Sequence, residues 1–467
     1  MLVSSYSKPE FDPYENDDLV LEVEPGPWAA PMSHGPLTAA LALPGSKSLT
    51  NRELVLAALA DGPSTLHAPL YSRDTNLMVQ GLKELGISIV EVPGRGKYGP
   101  DLLVTPGELS GGTTIDCGLA GTVMRFLPPL AALALGPVAF DGDPSARKRP
   151  MLPTITSLRA LGVDVTDDGR GRLPFSLYGT GSVDGGELEV DASGSSQFVS
   201  SLLLVGARFT NGLTLRHVGE RVPSHAHIEM TIATLAARGV HVDTSKPGRW
   251  VVPAGPIAGI EVDIEPDLSN ASPFLAAALV SGGSVTITGW PVETTQVGSE
   301  LASILTNMGG EVSFIETGGG VGDFTVRGTG SIHGIQLDNA SELAPTIAAL
   351  AALADSETVL TGIAHLRGHE TDRLAALATE INALGGDVTE TDDGLIIRPA
   401  PLHGGLWHSQ EDHRMATAGA IIGLVTPGVE IDNIATTAKT LPQFPQLWQG
   451  MVSGITTSHS TDPLSMF

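Results

Sequence analysis

The chain has 467 residues, with 52 Asp and Glu against 26 Lys and Arg, a formal charge of −26 at pH 7. That balance excludes nucleic acid and anionic membrane as partners, and the single cysteine, Cys117, excludes an intrachain disulfide and suits a reducing compartment. No apolar stretch is both long enough and free enough of Gly and Pro to span a membrane, and the N-terminus lacks a basic-then-apolar signal, so a cytoplasmic location is expected.

In chain order, residues 1–28 are acidic and proline-punctuated (Asp12, Glu15, Asp17, Asp18, Glu22, Glu24), which predicts a mobile tail. A strand-like stretch follows at Leu37–Leu43. Then a short polar start leads into an Ala/Leu-rich helical run, and this sentence recurs six times: SKSLTNRELVLAALA (46–60), LAGTVMRFLPPLAALAL (119–135), SSQFVSSLLLVGA (195–207), SNASPFLAAALV (269–280), SELAPTIAALAALA (341–354) and EDHRMATAGAIIGLV (411–425). The starts lie about 70 to 76 residues apart, the period of a repeated unit. Beyond the first turn each run is apolar on nearly every side, which predicts helices buried all round.

An amphipathic helical pattern follows each buried one and ends on glycine before a strand, at Gly86, Gly162, Gly239, Gly309 and Gly385. Glycine suits the left-handed residue that closes a helix. A sixth copy is cut short near Leu447–Gly450. Each unit therefore reads strand, buried helix, strand, outer helix and two strands. Three units close around three buried helices, and six give two similar α/β domains, 45–264 and 30–44 plus 265–455, with the Leu37–Leu43 strand completing the second. The chain would cross between them twice, leaving a cleft, and 456–467 form a loose tail.

A helix start carries free N–H groups and roughly half a positive charge, so six starts facing related directions would make a receptacle for phosphates and carboxylates. The residues there agree. Pro44-Gly45-Ser46-Lys47-Ser48-Leu49-Thr50-Asn51-Arg52 has glycine for close backbone approach, serine donors and a compact lysine charge, without the spacing of a Walker A loop. Gly121, Thr122 and Arg125 open the second run; Ser195, Ser196 and Gln197 the third; Glu342 the fifth; Asp412, His413 and Arg414 the sixth. Three further charged strings lie between: Arg147-Lys148-Arg149, His369-Glu370-Thr371-Asp372-Arg373 and Thr437-Ala438-Lys439-Thr440.

The strings PGSKSLTNR, LAGTVMR, SSQF, RGHETDRL, EDHRMA and TAKTLPQF, in this order, resemble those of the 5-enolpyruvylshikimate-3-phosphate synthase family, over about residues 37–450. The resemblance implies two inverse α/β barrels and the transfer of the enolpyruvyl group from phosphoenolpyruvate to shikimate 3-phosphate, without metal or organic cofactor; the sequence does not read out an oligomeric state, and a monomer fits. It further implies that Ser48, Arg52, Ser195, Ser196 and Ser224 hold shikimate 3-phosphate, with Gln197 against its ring. Lys47, Gly121, Arg147, Arg373, Arg414 and Lys439 would hold phosphoenolpyruvate. Lys47, Glu342, His365 and His369 would also face the first substrate, and Arg125, Gln197 and His413 the second. Guanidinium forks suit a ligand that carries both carboxylate and phosphate.

Glu342 is the expected base toward the attacking hydroxyl, and Glu370, with a raised pKa, the expected group for proton exchange at the methyl carbon, with Lys47, Lys439 and His413 able to share these roles. The chain departs from the family's usual pattern in several places. Glu342 stands where many relatives have aspartate, His369 replaces lysine, His365 and Leu119 replace asparagines, and the Arg-rich loop is slightly shifted. Loss of His369 charge near neutrality would weaken sugar-phosphate binding as pH rises. Gly121 is retained, which predicts sensitivity to glyphosate. Three other readings compete: the related UDP-N-acetylglucosamine enolpyruvyl transferase, which places a cysteine in the loop where 144–150 has none; a metal-dependent hydrolase using His225 and His227, or His408 with Asp412 and His413; and a non-catalytic anion-binding protein.

Overall fold

A computed structural model describes residues 26–454. The expected loose C-terminal tail and most of the acidic N-terminal one lie outside these residues, but Trp28, placed in that tail, begins a strand.

The helices alternate between an inner and an outer set. The first three units hold α1 (Lys47–Leu59) and α2 (Arg73–Glu84), α3 (Gly121–Ala131) and α4 (Leu152–Ala160), then α5 (Gln197–Gly206) and α6 (His225–Ala237). The last three hold α7 (Leu268–Ser281) and α8 (Leu301–Asn307), α9 (Ala344–Ala352) and α10 (Arg373–Ala383), then α11 (His413–Gly423) and α12 (Phe444–Ser453). The second unit shows the plan. Strand Thr113–Asp116 runs parallel to Leu135–Asp141 through the crossover helix α3, and α4 leads to the antiparallel strands Asp164–Thr166 and Phe175–Thr180.

Two units take their first strand from elsewhere in the chain. The first unit uses Glu261–Asp263, which follows the third unit and runs parallel to Ser64–His67. The fourth uses Thr38–Leu41, parallel to Ser284–Pro291. The sixth sheet has three strands: Gly405–Trp407 pairs parallel with Val429–Ile431, and Trp28–Ala29 pairs antiparallel on the other side. Its outer helix does not stop at Gly450; α12 continues to a left-handed Gly454. The other five outer helices close on the expected glycines, with φ of 97°, 84°, 83°, 99° and 92° at Gly86, Gly162, Gly239, Gly309 and Gly385.

Each half has its own apolar core. One gathers buried residues from Leu49 to Ile264 around α1, α3 and α5. The other takes Leu37–Leu43 and residues from Leu268 to Met451 around α7, α9 and α11. The inner helices are buried on all sides because almost nothing beyond their first turn is polar; every residue of α3 and α9 is buried. The chain passes between the cores at 44–48 and 265–267, and these segments lie side by side. Asp267 N donates to Pro44 O at 3.0 Å and Ser46 N to Glu265 O at 2.7 Å. No helix among the described residues is long and apolar enough to cross a membrane.

One buried ion pair fixes α6 against α1. Arg238, after the last turn of α6, donates to Glu53 Oε2 on α1 from Nε (2.9 Å) and Nη2 (2.7 Å), and to Ser64 Oγ and the Ala258 carbonyl. The two side chains are 0% and 3% exposed. Arg238→Leu leaves a buried carboxylate without its cation, a change that costs about 3–5 kcal/mol. Urea unfolding should show that loss; an unchanged midpoint would mean the pair holds nothing.

Candidate active site

All six inner helices begin at one cleft of about 900 Å³, counting the part open to solvent, between the two halves. Its walls include Lys47 and Ser48 in α1, Gly121 and Arg125 in α3, Ser195 and Gln197 at α5, Ser269 in α7, Glu342 ahead of α9, and His413 and Arg414 in α11. The starts are not equivalent. Asp267 caps α7 by accepting from Asn270 N (2.9 Å), and its other oxygen accepts from Lys47 N at the start of α1 (3.1 Å). Asp412 caps α11 through Arg414 N at 2.9 Å. By contrast α3, α5 and α9 begin with no side-chain cap; a 3-10 turn leads into α9 and takes up Ala344 N, whereas the start of α3 keeps its N–H groups and partial charge for an anion.

Of the residues singled out in the sequence, Lys47, Ser48, Gly121, Arg125, Ser195, Gln197, Glu342, His369, Glu370, Arg373, His413 and Arg414 line the cleft together. Lys439 reaches the same wall, bonded to Glu370 and to the Leu119 carbonyl (3.3 Å for the latter). Ser224 sits at the rim, its hydroxyl 2.8 Å from Ser341 Oγ and 3.4 Å from His365 Nε2, so it ties one half to the other. Ser196 is buried beside Ser195 and does not line the cleft.

Two arginines stand elsewhere than expected. Arg52 is 1% exposed and spends its donors inside the first half, on Thr231 Oγ1 (2.8 Å), Ser48 O (2.9 Å) and His227 O (3.0 Å), with its guanidinium 5.3 Å from the Phe126 ring centroid. Burial lowers its pKa to about 10. It braces α1 against α6 through three of its five N–H groups and does not line the cleft. Arg147 turns to solvent, forked onto Asp141 at 2.9 and 2.8 Å. A 3-10 turn over Ala146–Lys148 throws Arg147 and Lys148 outward and Arg149 inward. Arg149 is therefore the cleft residue of this loop, 6% exposed, with Nη1 3.1 Å from Leu119 O and 3.8 Å from Glu370. Three charges in a row carried no signal of which would point in.

Arg149 lies beside Arg125, whose Nη1 donates to Gln197 Oε1 at 2.7 Å. The Nε atoms of both have no hydrogen-bond partner. Burial first, then the neighbouring Arg149 charge, push the Arg125 pKa well down. Two buried like charges with unused donors are a site that an anion relieves. A Cβ at Gly121 would lie 2.9 Å from Arg149 Nη2 and 3.1 Å from Arg125 Nη1, so only glycine leaves both guanidiniums in place. Leu119, which stands where many relatives have asparagine, contributes its carbonyl, which any residue has.

The two candidate carboxyls are both ionised. Burial alone would raise Glu370, but Lys439, Arg373 and Arg149 outweigh it and hold the group well below the carboxylate range. The expected raised pKa is thus reversed, because the cleft surrounds Glu370 with cations. Burial is likewise overcome at Glu342 by His227, Arg414 and a hydrogen bond from Ser269. Glu342 Oε1 is 3.0 Å from Ser269 Oγ and 3.3 Å from His227 Nε2, and Oε2 accepts from Ser341 Oγ at 3.2 Å.

Two cleft histidines, His369 and His413, are held toward the neutral form. Burial, then Arg373, pushes His369 well down; burial does the same to His413, helped by Arg414. His369 therefore loses no charge near neutrality, and the expected weakening of binding with rising pH has no source there. The histidines of the hydrolase reading do not converge: His225 faces Glu229 (3.4 Å), His227 faces Glu342, and His408 bonds Glu380 (3.1 Å).

Two three-unit barrels with a cation-rich cleft between them define the enolpyruvyl transferase class of fold. The enolpyruvyl transferase NikO from Streptomyces tendae shares that fold, with a TM-score of 0.70 at 16% identity over 91% of this chain and 98% of that one. The family model described as EPSP synthase (3-phosphoshikimate 1-carboxyvinyltransferase) matches residues 32–448. A protein of Kocuria rhizophila named 3-phosphoshikimate 1-carboxyvinyltransferase is 56% identical over 433 residues, 91% of this chain and 96% of that protein. The EPSP synthase of Acinetobacter baumannii superposes with a TM-score of 0.74 at 26% identity, over 91% of this chain and 98% of that one. The chain belongs to the EPSP synthase family.

His365 offers a direct test of the electrostatics. Burial lowers its pKa from 6.5 to about 4. The unfolded chain takes up a proton as pH falls through 6.5 and the folded chain does not until about 4, so stability is full above that window and drains away within it. Glu342 and Glu370, both depressed, add losses at lower pH still. Thermal melts should show Tm falling from pH 6.5 to 4, and less steeply in His365→Asn; equal slopes would refute the burial of this ring.

Proposed function

We propose that this protein transfers the enolpyruvyl group of phosphoenolpyruvate to the 5-hydroxyl of shikimate 3-phosphate, releasing phosphate, by addition and elimination. The observation that carries this reading is the convergence of Lys47, Arg125, Arg149, Arg373 and Arg414 with ionised Glu342 and Glu370 at the starts of six buried helices. Two phosphorylated, carboxylated molecules match that charge, and each charge-assisted hydrogen bond contributes about 1.5–3 kcal/mol.

In the addition step Glu342 takes the proton of the 5-hydroxyl, and the oxygen bonds to the enol carbon. The double-bond pair moves to the methylene carbon, which takes a proton. Lys47 and Lys439 carry protons within the cleft; Glu370, as a carboxylate, is suited to remove one from the resulting methyl while phosphate leaves with its C–O pair. Ser48, Ser195 and Ser224 serve the shikimate phosphate, Gln197 the ring between the two substrates, and Arg125, Arg149, Arg373, Arg414 and Lys439 phosphoenolpyruvate. We read the halves as domains 45–264 and 30–44 with 265–455 that shut on the paired crossing segments, and the enzyme as a cytoplasmic monomer.

Phosphate should be released only when both substrates are present; none with both would end this reading. Glu342→Gln should lower turnover by about 10²–10⁴-fold while shikimate 3-phosphate affinity stays within a few-fold. Turnover equal to the parent's would remove Glu342 as base. Gly121→Ala should displace Arg125 and Arg149 and cost on the order of 10²-fold in kcat/KM for phosphoenolpyruvate. It should also weaken inhibition by glyphosate, whereas unchanged constants would show that the two guanidiniums yield freely.

A further inference from the structure

The base of the proposed reaction sits on one half of the molecule, and the groups that aim it come from the other. Glu342 belongs to the 3-10 turn Ser341–Leu343 ahead of α9. His227 and Ser224 belong to the start of α6, where Ser224 takes a left-handed φ of 51°. His227 Nε2 lies 3.3 Å from Glu342 Oε1. A carboxylate only accepts, so the imidazole carries its proton on Nε2 and donates. Ser224 Oγ is 2.8 Å from Ser341 Oγ, which in turn bonds Glu342 Oε2, so α6 touches both oxygens of the base, one directly and one through a hydroxyl.

The His227 backbone is independently fixed. Its carbonyl accepts from Arg52 Nη2 (3.0 Å), Ser200 Oγ (3.3 Å) and Thr231 Oγ1 (2.9 Å). Two elements of the first half therefore hold the ring in place, and a change of side chain leaves those bonds intact. The pair itself is nearly shielded, with side chains 16% and 13% exposed, where a hydrogen bond between charged or polar partners counts for more than at the surface.

We propose that His227 is a positioning residue for catalysis: when the cleft shuts it crosses from α6 to hold Glu342 as an aimed carboxylate, so that the base is complete only in the shut enzyme. This rests on the reaction proposed above. It links closure to chemistry through one bond and leaves an open cleft without an aimed base. The charged or titratable groups around Glu342 are His227 from α6, Arg414 from α11, Arg52 from α1, Arg373 from α10, His365 from the 3-10 turn before α10 and Glu300 before α8. His227 is the one that bonds it across the cleft through its side chain.

The sign of the pH effect follows. Turnover needs Glu342 ionised and falls as pH drops through its pKa. His227 is the largest influence opposing burial at Glu342, so its removal raises that pKa and moves the acid limb of kcat to higher pH. His227→Ala should lower kcat about tenfold to a hundredfold, shift the acid limb upward and change KM for shikimate 3-phosphate only a few-fold. His227→Gln, which keeps an N–H donor, should recover much of kcat. In a His227→Ala, Glu342→Gln double variant the histidine change should add no further loss.

A His227→Ala enzyme with unmoved kcat and acid limb, or with KM alone altered, would overturn the proposal and leave the ring as a substrate contact. Folded state is checked by an unchanged Tm. A second readout needs no turnover: in histidine-labelled protein with shikimate 3-phosphate bound, the ring Nε2 resonance of His227 should move on Glu342→Gln. If the parent releases no phosphate yet that resonance moves, the reaction is wrong and the cross-cleft bond stands; if phosphate is released and it does not move, the bond is wrong.

Discussion

Glu370 is bound by three cations, and the rest of the closed cleft depends on that arrangement. Lys439 and Arg373 pair with it from its own half, and Arg149 approaches it at 3.8 Å from the other. The Leu119 carbonyl, at the mouth of α3, receives both Arg149 and Lys439. One carboxylate and one backbone oxygen thus stitch the halves together through side chains that are nearly all buried. Burying ions costs several kcal/mol each unless partners repay it. The chain meets that cost by setting anions among the cations: Asp412 forks onto Arg373 at 2.7 and 3.1 Å, Asp74 lies 3.4 Å from Lys47, and Asp267 serves two helix starts at once.

That balance explains why the carboxyls titrate in the opposite sense from what their burial alone suggests, whereas His369 and His413 follow theirs. A carboxyl acid with a raised pKa needs an apolar pocket, and Glu370 has cations instead. A histidine that follows neutral pH needs water or an anion, and His369 has Arg373 3.3 Å from its Nδ1. The cations that suit an anionic substrate keep Glu342 and Glu370 ionised, and they add to the burial that holds His369 and His413 toward the neutral form.

Much of this was legible in the amino-acid order because the signals were periodic. Six apolar runs and five closing glycines report backbone events, helix burial and left-handed termination, that depend on local chemistry alone. The carboxylate and guanidinium residues that open the runs were legible for the same reason: a helix start faces a known direction. What failed was the facing of charged residues off those starts. Arg52 sits within α1, one turn beyond Ser48, and its charge gave no hint that it would bond Thr231 and the His227 carbonyl inside the first half. Arg147 and Arg149 differ only by a 3-10 turn. His227 entered only as a metal ligand of a competing reading because its partner, Glu342, lies 115 residues away and in the other half; only the tertiary meeting of α6 with the turn before α9 brings the two together.

The distribution of backbone strain bears on how the cleft closes. Among the described residues other than glycine with left-handed φ, Ser224, Asn339, Ser341, Gln410 and Glu411 stand on the two lips, and Ala68 packs on the crossing segments beside Gly45. Such conformations cost of order 1–3 kcal/mol each and persist where their surroundings impose them. The bonds that cross the outer lips are weak compensation. Ser145 to Glu411 (2.7 Å) and Arg221 to Asp338 (3.2 Å) are exposed, and exposed ion pairs contribute about 0–1 kcal/mol. The buried crossings through Glu370 and Glu342 carry desolvation that offsets much of their attraction. Closure without ligand is then a balance of opposing small terms. A dianion that bonds both halves at once tips it by its differential affinity for the shut form, and the six helix starts, three of them without a side-chain cap, are where that affinity is generated.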